Sequence, residues 1–197
     1  LEFRRVLFRS FKDPNVSIKI TSLSSKLNHL DPDYSVGLLK ERLMPLIRHA
    51  KKHNVFINFD MESHASLEII NQLFSSIAKE QEFIDWPKLG IVAQAYLKES
   101  PQHVINYIEL AKKRMTPITI RLVKGAYWDY EITHSQQTGI KPKVFLQKPQ
   151  TDDNYECLTK MLLDNISITS PAFASHNIRS LSHALCYAES KQIPQNK

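Results

Sequence analysis

Three segments decide the fold: Gly90-Ile91-Val92-Ala93-Gln94, a helical segment opening at Ser100-Pro101, and Ile118-Thr119-Ile120-Arg121-Leu122-Val123. A short β-forming run, a segment of helical period and a second β-forming run make a βα repeat. Ser100 is expected to cap the helix, with Pro101 tolerated at its first position. Upstream the pattern recurs. Val16–Ile20 is followed by a helix over Ser35–His53, with Leu38, Leu39, Arg42, Leu43, Leu46 and Ile47 on one side and Pro45 expected to bend it. Val55–Phe59 is followed by a helix over His64–Lys79 with a stripe of Leu67, Ile70, Leu73, Phe74 and Ile77. Downstream, a helix over Tyr127–Gln137 follows the fourth run. Lys141–Thr151 reads as a loop, and Asp152-Asp153 is expected to cap a helix ending near Leu163. Ala172–Ser175 is the fifth run, followed by a helix over Ile178–Ser190.

Apolar strands joined through helices imply an α/β fold with a parallel sheet, either a closed barrel or an open doubly wound sheet. The chain has only four glycines and no G-x-G-x-x-G after any strand, which favours the barrel. A (βα)8 TIM-like barrel takes ~250 residues, and at roughly 37 residues per unit this chain holds about the first five units. The expectation is therefore a barrel truncated by its last three units. Leu1–Ser10 reads LEFRRVLFRS, which looks like the in-frame translation of a sequencing-library adapter, so residues 1–10 are set apart as a non-native scar and residues 11–197 as a partial barrel domain. The alternative for that stretch is a basic targeting peptide.

The 197 residues are 42% hydrophobic and 23% charged, with two cysteines, which describes one globular domain in a reducing, cytoplasmic setting. No apolar run approaches the ~20 residues of a membrane-spanning helix. Cys157 and Cys186 form no C-x-x-C pair and cannot complete a four-ligand zinc site, so no metal is expected. The net charge of +6 is scattered among 20 acidic residues, and removing Leu1–Ser10 lowers it further, so no nucleic-acid partner is expected.

In a βα-barrel the working residues sit at the C-terminal ends of the strands. Here those ends carry Lys19, Asp60, Gln94, Arg121 with Lys124, and His176 with Asn177. Cations beside an aspartate at one mouth make a site for an anion or a zwitterion.

The run Ile120-Arg121-Leu122-Val123-Lys124-Gly125-Ala126-Tyr127-Trp128-Asp129 resembles the signature of proline dehydrogenases. Asn58-Phe59-Asp60-Met61-Glu62, Gln94-Ala95-Tyr96, Thr151-Asp152 with Asn154-Tyr155, and Ala174-Ser175-His176-Asn177 extend the resemblance in order. The second and fourth units look closest to the bifunctional bacterial members. The resemblance implies FAD as cofactor and oxidation of L-proline to Δ1-pyrroline-5-carboxylate, with hydride passing to the flavin. It implies Asp60 and Arg121 as catalytic and Lys19 and Tyr127 as substrate-binding. Met61, Gln94, Arg121, Val123, Lys124, Gly125, Ala126, Trp128, Lys148, Ser175, His176 and Asn177 match cofactor-binding positions. A quinone acceptor at the membrane surface, and with it peripheral membrane association, are also implied, as is a fused or partner pyrroline-5-carboxylate dehydrogenase. His49, His53, His103 and His183 are expected on helices far from the mouth.

Two departures matter. Where the family commonly has Thr-Arg-Lys, this chain has Leu146-Gln147-Lys148, losing one cation. The family's arginine pair on the last barrel helix, which clamps the substrate carboxylate, has no counterpart, so the isolated chain is expected to purify without yellow colour and to aggregate through open sheet edges. The rival readings are a non-flavin βα-barrel, such as a phosphate-binding or Schiff-base lyase, and a binding module without chemistry.

Overall fold

The computed structural model describes residues 14–194, and the expectation for residues 1–10 lies outside them. The order is β1 (Asn15–Ile18), a 3-10 turn (Ile20–Leu23), α1 (Pro32–Lys52), β2 (Phe56–Phe59), α2 (His64–Ala78), β3 (Leu89–Gln94), α3 (Ser100–Arg114), β4 (Ile118–Val123), α4 (Trp128–Thr138), α5 (Lys148–Asp164), β5 (Thr169–Phe173) and α6 (Ile178–Ser190). The five strands form one parallel sheet in the order β1-β2-β3-β4-β5. Each strand lies beside its neighbour in sequence, so among the described residues there is no reversal point of the doubly wound kind. In parallel units wound in this order the usual right-handed crossover carries the connecting helices to one face. This is the winding of a TIM-like barrel, seen here as an arc of five strands.

Register divides the two faces. Side chains alternate along a strand, so residues paired across the sheet share a face. Ile57 and Leu89 form one outer row, Phe59, Ile91 and Ile120 the next, and Ala93 and Leu122 a third, all buried beneath the helices. The inner rows are polar or small: Ser17, Asn58, Gly90, Thr119 and Ser170, then Val92, Arg121 and Ala172. Against the outer face α2 lays Leu67, Ile70, Leu73, Phe74 and Ile77, all buried as the stripe predicts. Each such side chain contributes about 1.5–3 kcal/mol. Phe74 lies edge-on between Phe59 of β2 (5.2 Å) and Tyr107 of α3 (6.4 Å), so one ring joins two units.

Several boundaries differ from the expectations. β1 ends at Ile18, which leaves Lys19 beyond it, and Ile20 is buried in the turn. Helix α1 starts at Pro32 because Asp31 caps it, accepting from the Tyr34 N–H at 3.1 Å, and it runs on through Pro45. Its buried line is Leu39, Leu43, Met44, Ile47 and Ala50. Leu46, expected in the stripe, is 53% exposed, since it sits a hundred degrees around the helix from Ile47.

Ser100 is the first residue of α3 rather than its cap. Its buried hydroxyl donates to the Leu97 carbonyl and accepts from Asn154 Nδ2 of α5, both at 2.8 Å, so tertiary bonding has taken the capping group. Helix α5 begins at Lys148 rather than at Asp152-Asp153, because Gln147 and Gln150 form a reciprocal capping box. β5 lies at Thr169–Phe173 rather than Ala172–Ser175. It includes Pro171, which is tolerated because β5 is an edge strand among the described residues.

Candidate active site

Arg121 lies on the inner face of β4, level with Val92 of β3, and Asp60 follows β2 at the same height. The guanidinium crosses above Val92 and donates to Asp60 Oδ1. Asn58 Nδ2 donates to the same oxygen at 3.2 Å, and a further Arg121 nitrogen reaches Ser17 Oγ at 3.4 Å. Asp60 is itself fixed by its backbone N–H, which donates to the Ile18 carbonyl at 3.0 Å. Three strands therefore hold one charge pair whose side chains remain 34% and 28% exposed. Arg121 Nε is buried without a hydrogen-bond partner. Such a donor costs about 1–3 kcal/mol when unmet.

A second unmet group lies at the end of β3. Gln94 is 3% exposed; its Nε2 donates to the Glu62 carbonyl at 3.2 Å, and its Oε1 has no partner. Met61, between Asp60 and Glu62, is buried. Glu62 is a residue that strand-end reasoning missed. Its carboxylate accepts from the Thr21 N–H (3.0 Å) and Thr21 Oγ (2.6 Å), which fastens the turn after β1 to the segment after β2. Its place in the run Asp60-Met61-Glu62 was the signal.

Beyond β4, Lys124 Nζ donates to Asp152 Oδ1 at 2.5 Å and Lys148 Nζ to Asp152 Oδ2 at 2.6 Å. Burial pushes the Asp152 carboxyl up, but the hydrogen bonds from Lys124 and Lys148 outweigh it and hold the group below the usual aspartate range. Two cations thus share one carboxylate and leave excess positive charge at the rim. Gly125 has φ +126°, and a Cβ there would fall 2.4 Å from the Tyr96 ring, so its bare backbone is first of all required by Tyr96. Burial, reinforced by the Glu131 charge, pushes the Tyr96 phenol up.

The remaining predicted residues scatter. Val123 is half-buried, in register with Gln94. Lys19 and Ala126 are exposed and Tyr127 half-buried. Trp128 Nε1 donates to the Phe145 carbonyl at 2.8 Å. Ser175 Oγ accepts from the Asn177 N–H at 3.1 Å, and Asn177 Oδ1 accepts from the Ser180 N–H at 3.1 Å as the cap of α6, so these groups are occupied by local structure. His176 is exposed.

His103, in the first turn of α3, lines the groove between α2 and α3 and feels Glu99 and His64. Burial lowers its pKa, against the opposing pull of Glu99. Two grooves of about 450 and 380 Å³ lie outside this mouth, the first lined by Lys98, Glu99 and 140–143, the second between α2 and α3. Neither includes a strand-end residue.

Residues 4–197 match the model of the proline dehydrogenase family. The chain is 35% identical to the bifunctional protein PutA of Escherichia coli over 172 residues, which is 87% of this chain and 13% of that protein. It is 26% identical to proline dehydrogenase 2 of Bacillus subtilis, covering 93% of this chain and 50% of that protein. A crystal structure of proline utilization A from Bdellovibrio bacteriovorus, inactivated by N-propargylglycine, superposes with a TM-score of 0.90 at 43% identity, covering 91% of this chain and 19% of that one. The chain thus spans a small part of the PutA relatives it matches. Residues 4–197 lie within the family model, and the charge pair from β2 to β4 stands on a matching fold: the chain belongs to the proline dehydrogenase family.

Proposed function

We propose that this chain supplies the first five units of an FAD-dependent enzyme that oxidises L-proline to Δ1-pyrroline-5-carboxylate. The observation that carries the reading is the Asp60–Arg121 pair on the inner face, with Arg121 Nε and Gln94 Oε1 buried and unmet in the same mouth. A donor and an acceptor waiting at one mouth fit a heteroaromatic ring with both kinds of edge. Lys124 and Lys148 add the positive charge that a pyrophosphate requires, so the residues present fit FAD.

Arg121, Gln94, Lys124 and Lys148 would hold the cofactor, joined at the rim by Met61, Val123, Gly125, Ala126, Trp128, Ser175, His176 and Asn177. The flavin, when bound, supplies a two-electron acceptor. Asp60 keeps the guanidinium over the mouth, so a positive charge already stands where negative charge develops, with no reorganisation during reaction. Lys19 and Tyr127 are the residues assigned to the imino acid. The amine must be neutral as hydride leaves its neighbouring carbon, so no residue here is asked to hold it protonated.

The word bifunctional in the relatives' names supports a second catalytic domain on the full protein, assigned here to pyrroline-5-carboxylate dehydrogenase. A quinone acceptor reached by peripheral membrane contact completes the reading. No helix among the described residues is long and apolar enough to cross a membrane. The Schiff-base alternative needs a neutral, available lysine, whereas the Lys124 ammonium is bound to Asp152.

Arg121→Met in the flavin-loaded full-length protein tests the proposal. Flavin bleaching by proline is expected to slow ~100- to 1000-fold with flavin content largely kept. Unchanged bleaching overturns the role given to Arg121, and a wild-type protein that proline does not reduce overturns the function.

A further inference from the structure

Helix α4 is anchored unlike its neighbours, because the only side chain it buries is a carboxylate, Glu131. Trp128 and Tyr130 are 40% and 52% exposed, and Ile132 is half-buried. Glu131 Oε1 accepts from the backbone N–H of His64 at 2.7 Å, a residue 67 positions away in sequence. His64 is the first residue of α2. Ser63 before it, a residue type well suited to capping, makes no side-chain cap hydrogen bond. The amino end of α2 is therefore satisfied by an anion delivered from α4, in the orientation the helix dipole favours. The His64 ring meets Glu99 Oε1 at 2.6 Å, at the cap position of α3, so one histidine ties three successive helices together at the rim.

The segment this knot controls is Lys124–Tyr127. From below, the Tyr96 N–H donates to the Lys124 carbonyl at 2.7 Å and the Tyr96 ring seats Gly125. From the far side, the Glu131 N–H donates to the Tyr127 carbonyl at 2.9 Å, in the same turn whose side chain is latched to His64. Besides this latch, α4 is held by half-buried Ile132, which packs against the core, and by the Trp128–Phe145 hydrogen bond; the Glu131 carboxylate is its one fully buried side chain and the contact that gives its rotation a direction.

We propose that Glu131 is a positioning residue: through the His64 N–H it sets the rotation of α4, and so the placement of Gly125, Ala126, Tyr127 and Trp128 toward the cofactor. The inference rests on the flavin reading above. Without the carboxylate, the His64 N–H loses its side-chain acceptor and α4 loses its one fully buried side chain.

The test compares Glu131→Ala and Glu131→Gln in the flavin-loaded full-length protein by amide hydrogen exchange, flavin dissociation constant and single-turnover reduction by proline. Glu131→Ala is expected to speed exchange at His64 and across 125–138 by ~10-fold or more. It should weaken flavin binding and slow reduction by a similar factor, while protection at Leu73 and Phe74 is unchanged. Glu131→Gln restores all three, because its Oε1 still accepts from His64. Faster exchange with flavin affinity and reduction unchanged overturns the positioning role, as does a Gln variant as damaged as Ala. If wild type binds flavin and is reduced by proline but Glu131→Ala matches it throughout, this inference alone fails; a wild type that binds no flavin brings down the functional reading and this role with it.

Discussion

Helices α2 and α4 each begin where a strand ends at the mouth, yet they are held by opposite means. α2 buries eight side chains, six of them large and apolar, whereas α4 fully buries a single glutamate, lays half-buried Ile132 against the core and makes point contacts to His64 and Phe145. Hydrophobic burial is non-directional and sums over area, so it supplies most of the stability of α2. A charge-assisted hydrogen bond is worth less in total but fixes orientation. The helix that follows the Lys124–Trp128 run is the one fixed by direction.

The widest gap between the two helices should appear on deleting core volume. Phe74→Ala, which empties the space between Phe59 and Tyr107, is expected to cost about 3–5 kcal/mol in denaturant unfolding, more than any single truncation in α4. A smaller loss from Phe74→Ala than from Glu131→Ala would invert the comparison.

A lesser effect comes from acid. The folded-state pKa of Asp152 lies below its unfolded value, so the stability it brings is fully present above the unfolded pKa and is lost as the pH falls through the folded one. Below about pH 4, exchange should quicken at Lys124 and along α5 while α2 keeps its protection, and Asp152→Asn should abolish that acid step at a cost of about 1 kcal/mol or less at neutral pH. Equal acid sensitivity in α2 would remove the contrast. Least of all, Tyr130→Ala, on the exposed side of α4, should leave the unfolding midpoint within about 0.5 kcal/mol of the parent. A loss beyond about 1 kcal/mol would mean that α4 has a second apolar anchor beside Ile132.

Much of this was legible in the chain. The stripe from Leu67 to Ile77 is a local pattern that the sheet simply accepts, and Ile118–Val123 is a strand to the residue. Asp60 and Arg121 were legible as strand-end and inner-face polar groups because alternation along a strand is fixed by the pleat. Ser100, Asp152 and Glu131 were not. Each is a polar residue whose local role, as helix cap or as solvated surface, was displaced by a partner distant in sequence: Asn154 for Ser100, Lys124 for Asp152, His64 for Glu131.

By itself, then, the sequence determined the succession of strands and helices, the apolar outer face and the list of polar groups at the strand ends, since these follow from periodicities within a few residues. Only the tertiary structure decided which of those groups meet. Arg121 crosses Val92 to Asp60, while Asn177 Oδ1 caps its own helix, because hydrogen-bond partners are chosen by distance and direction in space and not by separation along the chain.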